Sequence, residues 1–352
     1  MAERRENNFN FIRLVAALFV MLGHMGPILG IEAPMLGGHG IHTIGVKVLF
    51  LIGGYLITQS WERDPHPGRY ALRRFFRLYP PYAVMVLLMA FVAGPLLSNL
   101  GLPAYFQSWY FAYLWNLRFY IVYAIPGAFE ELPRTSVMNG SIWTMPVEAL
   151  LYLLLPILLA AIRSRKKEKG SFIAMCALTG VACVYDLWLH YAREGQQLVF
   201  YATDWNYAMH VAVYFLIGSL FTWPQMKRFL NLQVGIAAMI AMICVQMGSS
   251  VWNVLLGHIA LPIFVLSFAQ MEKPLFAKLA RKYELSYGIY LYGFFFQQLV
   301  VKWRIDSGAG WGFYTCFAMS LALTLVAAFL SCILVEKPCL ALCKKLTTRH
   351  HS

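Results

Sequence analysis

Charge is scarce in this chain. Aspartate, glutamate, lysine and arginine make up 13% of its 352 residues, where a soluble domain of this size carries roughly 25%. That shortage excludes an ordinary water-soluble globular protein. Acidic residues are the scarcer sign, 16 against 29 basic ones, which leaves a net charge of +13. No cysteine pair has CxxC spacing. Of the seven cysteines, five lie in apolar runs and two in the C-terminal tail, so neither a structural disulfide nor a zinc site is expected. The loop pair His39 and His42 has no carboxylate beside it and falls short of the ligand count of a metal site. No tandem repeat is evident. A cleavable signal peptide is not expected either, because the first apolar run contains Arg13 and His24 and no small-x-small site follows it.

What the chain has instead is apolar length. Hydrophobic residues are 60% of the total and the mean hydropathy is +0.59. Runs of about 20 apolar residues suffice to cross a bilayer. Such runs occur at 11–29, 42–60, 81–97, 143–162, 171–189, 206–223, 230–247, 251–269, 285–303 and 311–334. The expected fold class is an all-α polytopic membrane helical bundle of about ten transmembrane helices, one membrane domain over 1–352 with no soluble appended domain. With the N-terminus in the cytoplasm, 22 of the 29 Lys and Arg residues fall in inner segments and five in outer ones. This bias predicts that both termini are cytoplasmic. The basic excess anchors inner loops to anionic lipid, and no nucleic acid is needed to explain it.

Within these runs the few ionisable residues stand out, since charge inside a bilayer is costly and usually faces a polar cavity. Arg13 and His24 are eleven residues apart on the first span, which returns them to within ~20° of the same helix face and separates them by ~16 Å. The fourth span opens GSIWTMPVEALLY. Trp143 marks its outer end, Glu148 lies ~7 Å inside, and Tyr152 follows one turn later. His24 sits at about the same depth, so Glu148 is expected to orient the imidazole as in a general-base pair. Lys47, near the outer end of span two, is expected to snorkel to the interface. Gly53 and Gly54 in that span allow close helix approach or local unwinding. His210 and His258 read as packing residues.

Two extramembrane stretches carry more than a loop needs. Residues 68–79 form a basic inner helix in which Arg73 and Arg77 share a face. Arg73, Arg74 and Arg77 suit either a lipid anchor or a phosphate clamp. Pro80 and Pro81 are expected to open span three. Residues 105–123 contain ten aromatics and suggest a re-entrant or interfacial segment, serving as a headgroup belt, a sugar-stacking platform, or both.

In order along the chain, these motifs resemble the integral-membrane acyltransferase family 3, the O-acyltransferases that decorate bacterial surface polysaccharides. The resemblance rests on Arg13 with His24, GVKVLFLIGGYLIT, RRFFRLYP at 73–80, WTMPVEALLY, SYGIYLY at 286–292 and VEKP at 335–338. Lys47, Gly53 and Gly293 depart from the acidic residue, serine and histidine common there. The resemblance implies transfer of an acyl group, most simply acetyl, from cytoplasmic acyl-CoA to a hydroxyl of an envelope or exported polysaccharide or glycoside, in a bacterial inner (plasma) membrane. Arg13, His24 and Glu148 would be catalytic, and Arg73, Arg74 and Arg77 would hold the donor. Trp143, Tyr152, Lys47, Ser286 and Tyr287 would support the acceptor. Acetyl-CoA would be a substrate, with no cofactor bound permanently. The partners implied are acyl-CoA, a carbohydrate acceptor and membrane lipid, and a homo-oligomer is compatible with them. Two other classes remain open on the residues alone: a secondary transporter of an acylated lipid or sugar, and a structural partner of a polysaccharide assembly complex.

Overall fold

The computed structural model of the chain describes residues 7–107, 110–163, 168–193, 195–244, 250–276, 278 and 282–348. Its longer helices are α1 (Phe9–Leu29), α2 (Ile41–Arg63), α3 (Pro67–Leu88), α4 (Thr144–Arg163), α5 (Glu168–Ala192), α6 (Trp205–Leu220), α7 (Leu232–Cys244), α8 (Ser250–Ala269), α9 (Ser286–Asp306), α10 (Phe313–Ser331) and α11 (Lys337–Thr348). Single π-turns, Met89–Ala93 and Cys332–Glu336, extend α3 and join α10 to α11. Strand among the described residues is limited to two antiparallel hairpins. In one, β1 (Met35–Leu36) pairs with β2 (His39–Gly40); in the other, β3 (Val199–Phe200) pairs with β4 (Thr203–Asp204).

A helix lies at each of the ten expected positions, but the ten are not equivalent. Among the described residues, seven helical stretches are long and apolar enough to cross a membrane. The other three positions belong to α6, α7 and α9. The first is 16 residues long, and α7 adjoins residues outside the described set. Helix α9 has the length but carries Gln297, Gln298, Lys302 and Arg304. It tolerates the two glutamines because both are fully enclosed and donate to carbonyls: Gln297 to Met21, Gln298 to Arg134 and Val137. A helix wrapped by protein does not need an apolar surface. The outward faces do have one, with Leu153 and Ile157 on α4 and Ile173, Val181 and Val184 on α5 exposed. This is an all-α integral membrane protein.

Span three does not begin at Pro80. The basic segment and the span are one continuous helix, α3, with Pro80 and Pro81 inside it. Its start is set by Pro67 and by His66, whose Nδ1 accepts from the Arg69 amide. The arginines therefore stand on the first turns of a membrane helix and point into the bundle. The aromatic stretch 105–123 is also not one re-entrant helix, and residues 108–109 within it lie outside the described residues. It is broken into Leu102–Gln107, Tyr110–Tyr113 and a 3-10 turn at Leu114–Arg118. Much of it packs onto α3: Tyr105 donates to the Ala90 carbonyl at 2.6 Å, Tyr82 donates to Asn116 O, and Tyr113 is fully buried.

Helix α2 stands at the centre, against α1 on one side and α6 on the other. Glycines allow the backbones to touch. A Cβ at Gly54 would lie 1.9 Å from the Phe215 carbonyl oxygen, and one at Gly218 would lie 2.0 Å from that of Leu51. Gly53, by contrast, has only the Phe215 ring near it, at 3.8 Å, and lines a cavity. Of the two span-two glycines, Gly54 makes the close approach. Gly54→Ala should force α2 and α6 apart and cost about 1–3 kcal/mol, read as a lower melting temperature in detergent. Gly310→Ala, with nothing within 4 Å, should leave that temperature unchanged.

Candidate functional site

Among the described residues, two cavities hold most of the ionisable residues singled out in the sequence. The first, of about 550 Å³, has the basic end of the molecule as its wall: Arg13, Arg73, Arg74 and Arg77, with Glu148, Tyr152, Glu284, Ser286 and Tyr287. The second, of about 970 Å³, is lined by His24, His42, Lys47, Tyr123, Trp143, His190 and His210 among others. Val46 of α2 lines both, and the adjacent residues Trp143 and Thr144 line one each. These residues lie at the boundary between the two.

The arginines of the first cavity differ in their partners. Arg13 and Arg77 converge on Glu284 at 2.8 and 2.7 Å, and Glu336 approaches Arg77 at 3.9 Å. Arg73 pairs with Asp64 at 2.6 Å, and Asp64 also receives Arg69. Arg74 has no carboxylate partner among the described residues. Its guanidinium lies over the rings of Tyr70 and Tyr152, at 5.7 and 5.9 Å, and reaches Ser60 Oγ at 3.5 Å. Tyr152 donates to Glu148, its neighbour one turn up, and Tyr287 donates to the Leu78 carbonyl at 2.6 Å.

The expected pairing of Glu148 with His24 is not what the bundle builds. The two side chains line different cavities, and no hydrogen bond joins them. The reason lies in where α4 starts. Trp143 reads as a surface marker, yet the turn Ser141–Trp143 is inside the protein, with Ser141, Ile142 and Thr144 at 2% exposure or less. Glu148, one turn beyond Thr144, therefore lines the first cavity and not the second. His24 instead meets the His42 ring at 5.1 Å and the edge of Phe294 at 5.3 Å. Gly293, next to Phe294, faces Met21. Lys47 does not snorkel. It is 3% exposed, with its ammonium 5.1 Å from the Tyr214 ring centre.

A family model described as an acyltransferase domain matches residues 6–335. The chain belongs to the acyltransferase 3 family. It is an integral-membrane acyltransferase, and the transporter and scaffold readings fall. Among its relatives is an O-acetyl transferase of Shigella phage Sf6, 24% identical over 95% of this chain and 96% of that one. Nodulation protein 10 of Rhizobium leguminosarum bv. viciae is 28% identical over 98% of this chain and 96% of its own. The peptidoglycan O-acetyltransferase OatA of Listeria monocytogenes is 26% identical over 46% of this chain and 27% of its length. No solved structure matches the acyltransferase.

Several residues of these cavities are missed by span-by-span reading. Glu284 stands two residues before the SYGIYLY motif and Glu336 is the carboxylate of VEKP, so both lie in stretches that attract notice for other residues. Asp186, fully enclosed on α5, receives His258 Nε2 at 2.8 Å and also bonds His210 Nδ1. A lone aspartate in an apolar run signals this site once its expense is weighed, and it turns His210 and His258 from packing residues into members of a polar network.

Glu284 lies outside the spans and controls a pH response. Burial acts to raise its carboxyl pKa, but Arg77 and Arg13 outweigh burial and hold it down to about 2. The folded form then binds fewer protons than the unfolded one, so its contribution is complete above the ordinary carboxylate value and drains as pH falls from 4.5 toward about 2. Melting temperature in detergent should fall across that window in the parent, and less steeply in Glu284→Gln. Parallel curves would remove Glu284 from the account.

Proposed function

We propose that this acyltransferase is an O-acetyltransferase that moves acetyl from acetyl-CoA, bound in the first cavity, to a hydroxyl of a carbohydrate bound in the second. The observation that carries the reading is the pair of chemically unlike cavities divided at Val46. One offers fixed cations for phosphates, the other imidazoles for a hydroxyl. The concentration of basic residues at the first cavity's end fits a cytoplasmic mouth, both termini inside, and a plasma-membrane location. Acetyl as the acyl group is supported by the O-acetyl transferase relative. A glycan acceptor is supported by the relative whose name specifies peptidoglycan.

Roles follow from partners. Arg74, free of any carboxylate among the described residues, binds donor phosphate. Arg73 and Arg77 are held by Asp64 and by Glu284, so they contribute field more than direct contact. Arg13, Glu148, Tyr152, Ser286 and Tyr287 line the path of the acyl-bearing arm. His24 accepts the acceptor's hydroxyl proton as that oxygen bonds to the thioester carbonyl carbon. The carbon–sulfur bond then breaks, and CoA leaves as thiolate. Trp143, Tyr123 and Lys47 line the acceptor side. His42, beside His24, takes the orienting position that Glu148 does not fill.

In proteoliposomes with acetyl-CoA on one side and a glycan panel on the other, the parent should release CoA thiol only when an acceptor is present. His24→Ala should lose about 10²–10⁴-fold in turnover while still inserting. Arg74→Ala should raise the KM for acetyl-CoA roughly 10- to 100-fold, the equivalent of one charge-assisted phosphate bond of about 1.5–3 kcal/mol, with kcat little changed. A full-rate His24→Ala enzyme, or an Arg74→Ala defect confined to the acceptor, would contradict these assignments.

A further inference from the structure

The wall of the second cavity holds a cluster that acyl transfer does not call upon. Asp186 and His190 stand one turn apart on α5, and His210 faces them from α6. One ligand atom from each falls within 4.8 Å of the others. The rings of His190 and His210 are 4.1 Å apart and both line the cavity, whereas Asp186 lies fully enclosed behind them. The geometry points to a site for a divalent transition metal, held by Asp186 Oδ1, His210 Nδ1 and a ring nitrogen of His190, whose Nδ1 lies 3.8 Å from that oxygen.

Three features beyond proximity support it. The first is the donor set: two imidazoles and one carboxylate with a remaining position open to a cavity is the arrangement of catalytic rather than structural zinc sites. The second is the outer support. His190 Nδ1 lies 3.0 Å from the Asp186 carbonyl oxygen and donates to it, which leaves Nε2 free. His258 Nε2 donates to Asp186 Oδ2 at 2.8 Å, which fixes the carboxylate and leaves Oδ1 for the ion. Hydrogen bonds of this kind orient metal ligands and set their basicity. The third is economy of movement. Bonds of about 2 Å in a tetrahedron separate ligand atoms by about 3.3 Å, so an ion replacing the proton shared by Asp186 and His210 needs only side-chain adjustment. Lys47 is within electrostatic reach of Asp186 and opposes a bound cation. The site is thereby tuned to moderate affinity.

The test is binding, not turnover. Full-length protein purified in detergent without a polyhistidine tag, and stripped with chelator, is titrated with Co²⁺ and followed by its visible absorption. The expected result is one saturable equivalent per chain, displaced by Zn²⁺. His190→Gln and His210→Gln should abolish it. His258→Gln, which removes only support, should weaken it about 10- to 100-fold. Lys47→Met should strengthen it, an outcome that a purely structural hydrogen-bond network does not produce. Absence of saturable binding by the parent overturns the proposal without recourse to any variant, and so does binding that survives both histidine ligand changes.

Discussion

Glu284 between Arg13 and Arg77 is the contact on which the basic half of the molecule depends. A charge in a membrane bundle is stable only beside its opposite or in a wet cavity. Here one carboxylate satisfies arginines from α1 and α3, and Glu336 brings the π-turn between α10 and α11 to the same point. Four parts of the chain distant in sequence are thus fixed around one polar centre. A partly buried ionic centre of this kind contributes modest net stability, because desolvation offsets much of the attraction, but it leaves few alternative arrangements. The cavity is the space left over when these elements converge.

The architecture was legible in the sequence because a bilayer imposes simple rules. Apolar length located the helices, and the rarity of charge drew attention to Arg13, His24, Lys47 and Glu148, which all line cavities. Depth was the quantity that failed. Counting from Trp143 assumed that α4 begins at the interface, whereas the chain before it is folded into the interior, with Asn139 and Ser141 buried. A position along one helix says nothing about where a neighbouring helix starts. Partners were equally hidden: the spacing of Arg73, Arg74 and Arg77 could not reveal that Asp64 and Glu284 would engage two of them and leave the third.

In the proposed reaction, donor and acceptor would each enter one of the two cavities and meet where the cavities adjoin. Histidines gather at one cavity, beside Lys47, Arg193 and Asp204, and arginines with Glu148 and Glu284 gather at the other. The histidine side carries more polar structure than a single base requires, and Asp186 at its centre binds α5, α6 and α8 together as Glu284 does the helices opposite.

The boundary at Val46 has an electrical consequence. With water in both chambers, a membrane potential does not fall evenly over about 30 Å of hydrocarbon but concentrates across the dry layer between them, as low-dielectric walls focus field lines. With acetyl-CoA as the donor, as proposed above, the thioester would sit where the gradient is steepest. Displacement of one elementary charge through the whole potential is worth about 2.3 kcal/mol per 100 mV, so negative charge leaving with the thiolate on one side, and a proton held on the other, would couple the chemical step to the energised state of the membrane. Val46, Trp143 and Thr144, which border the two chambers, would then be part of the insulating layer of the cell at this point.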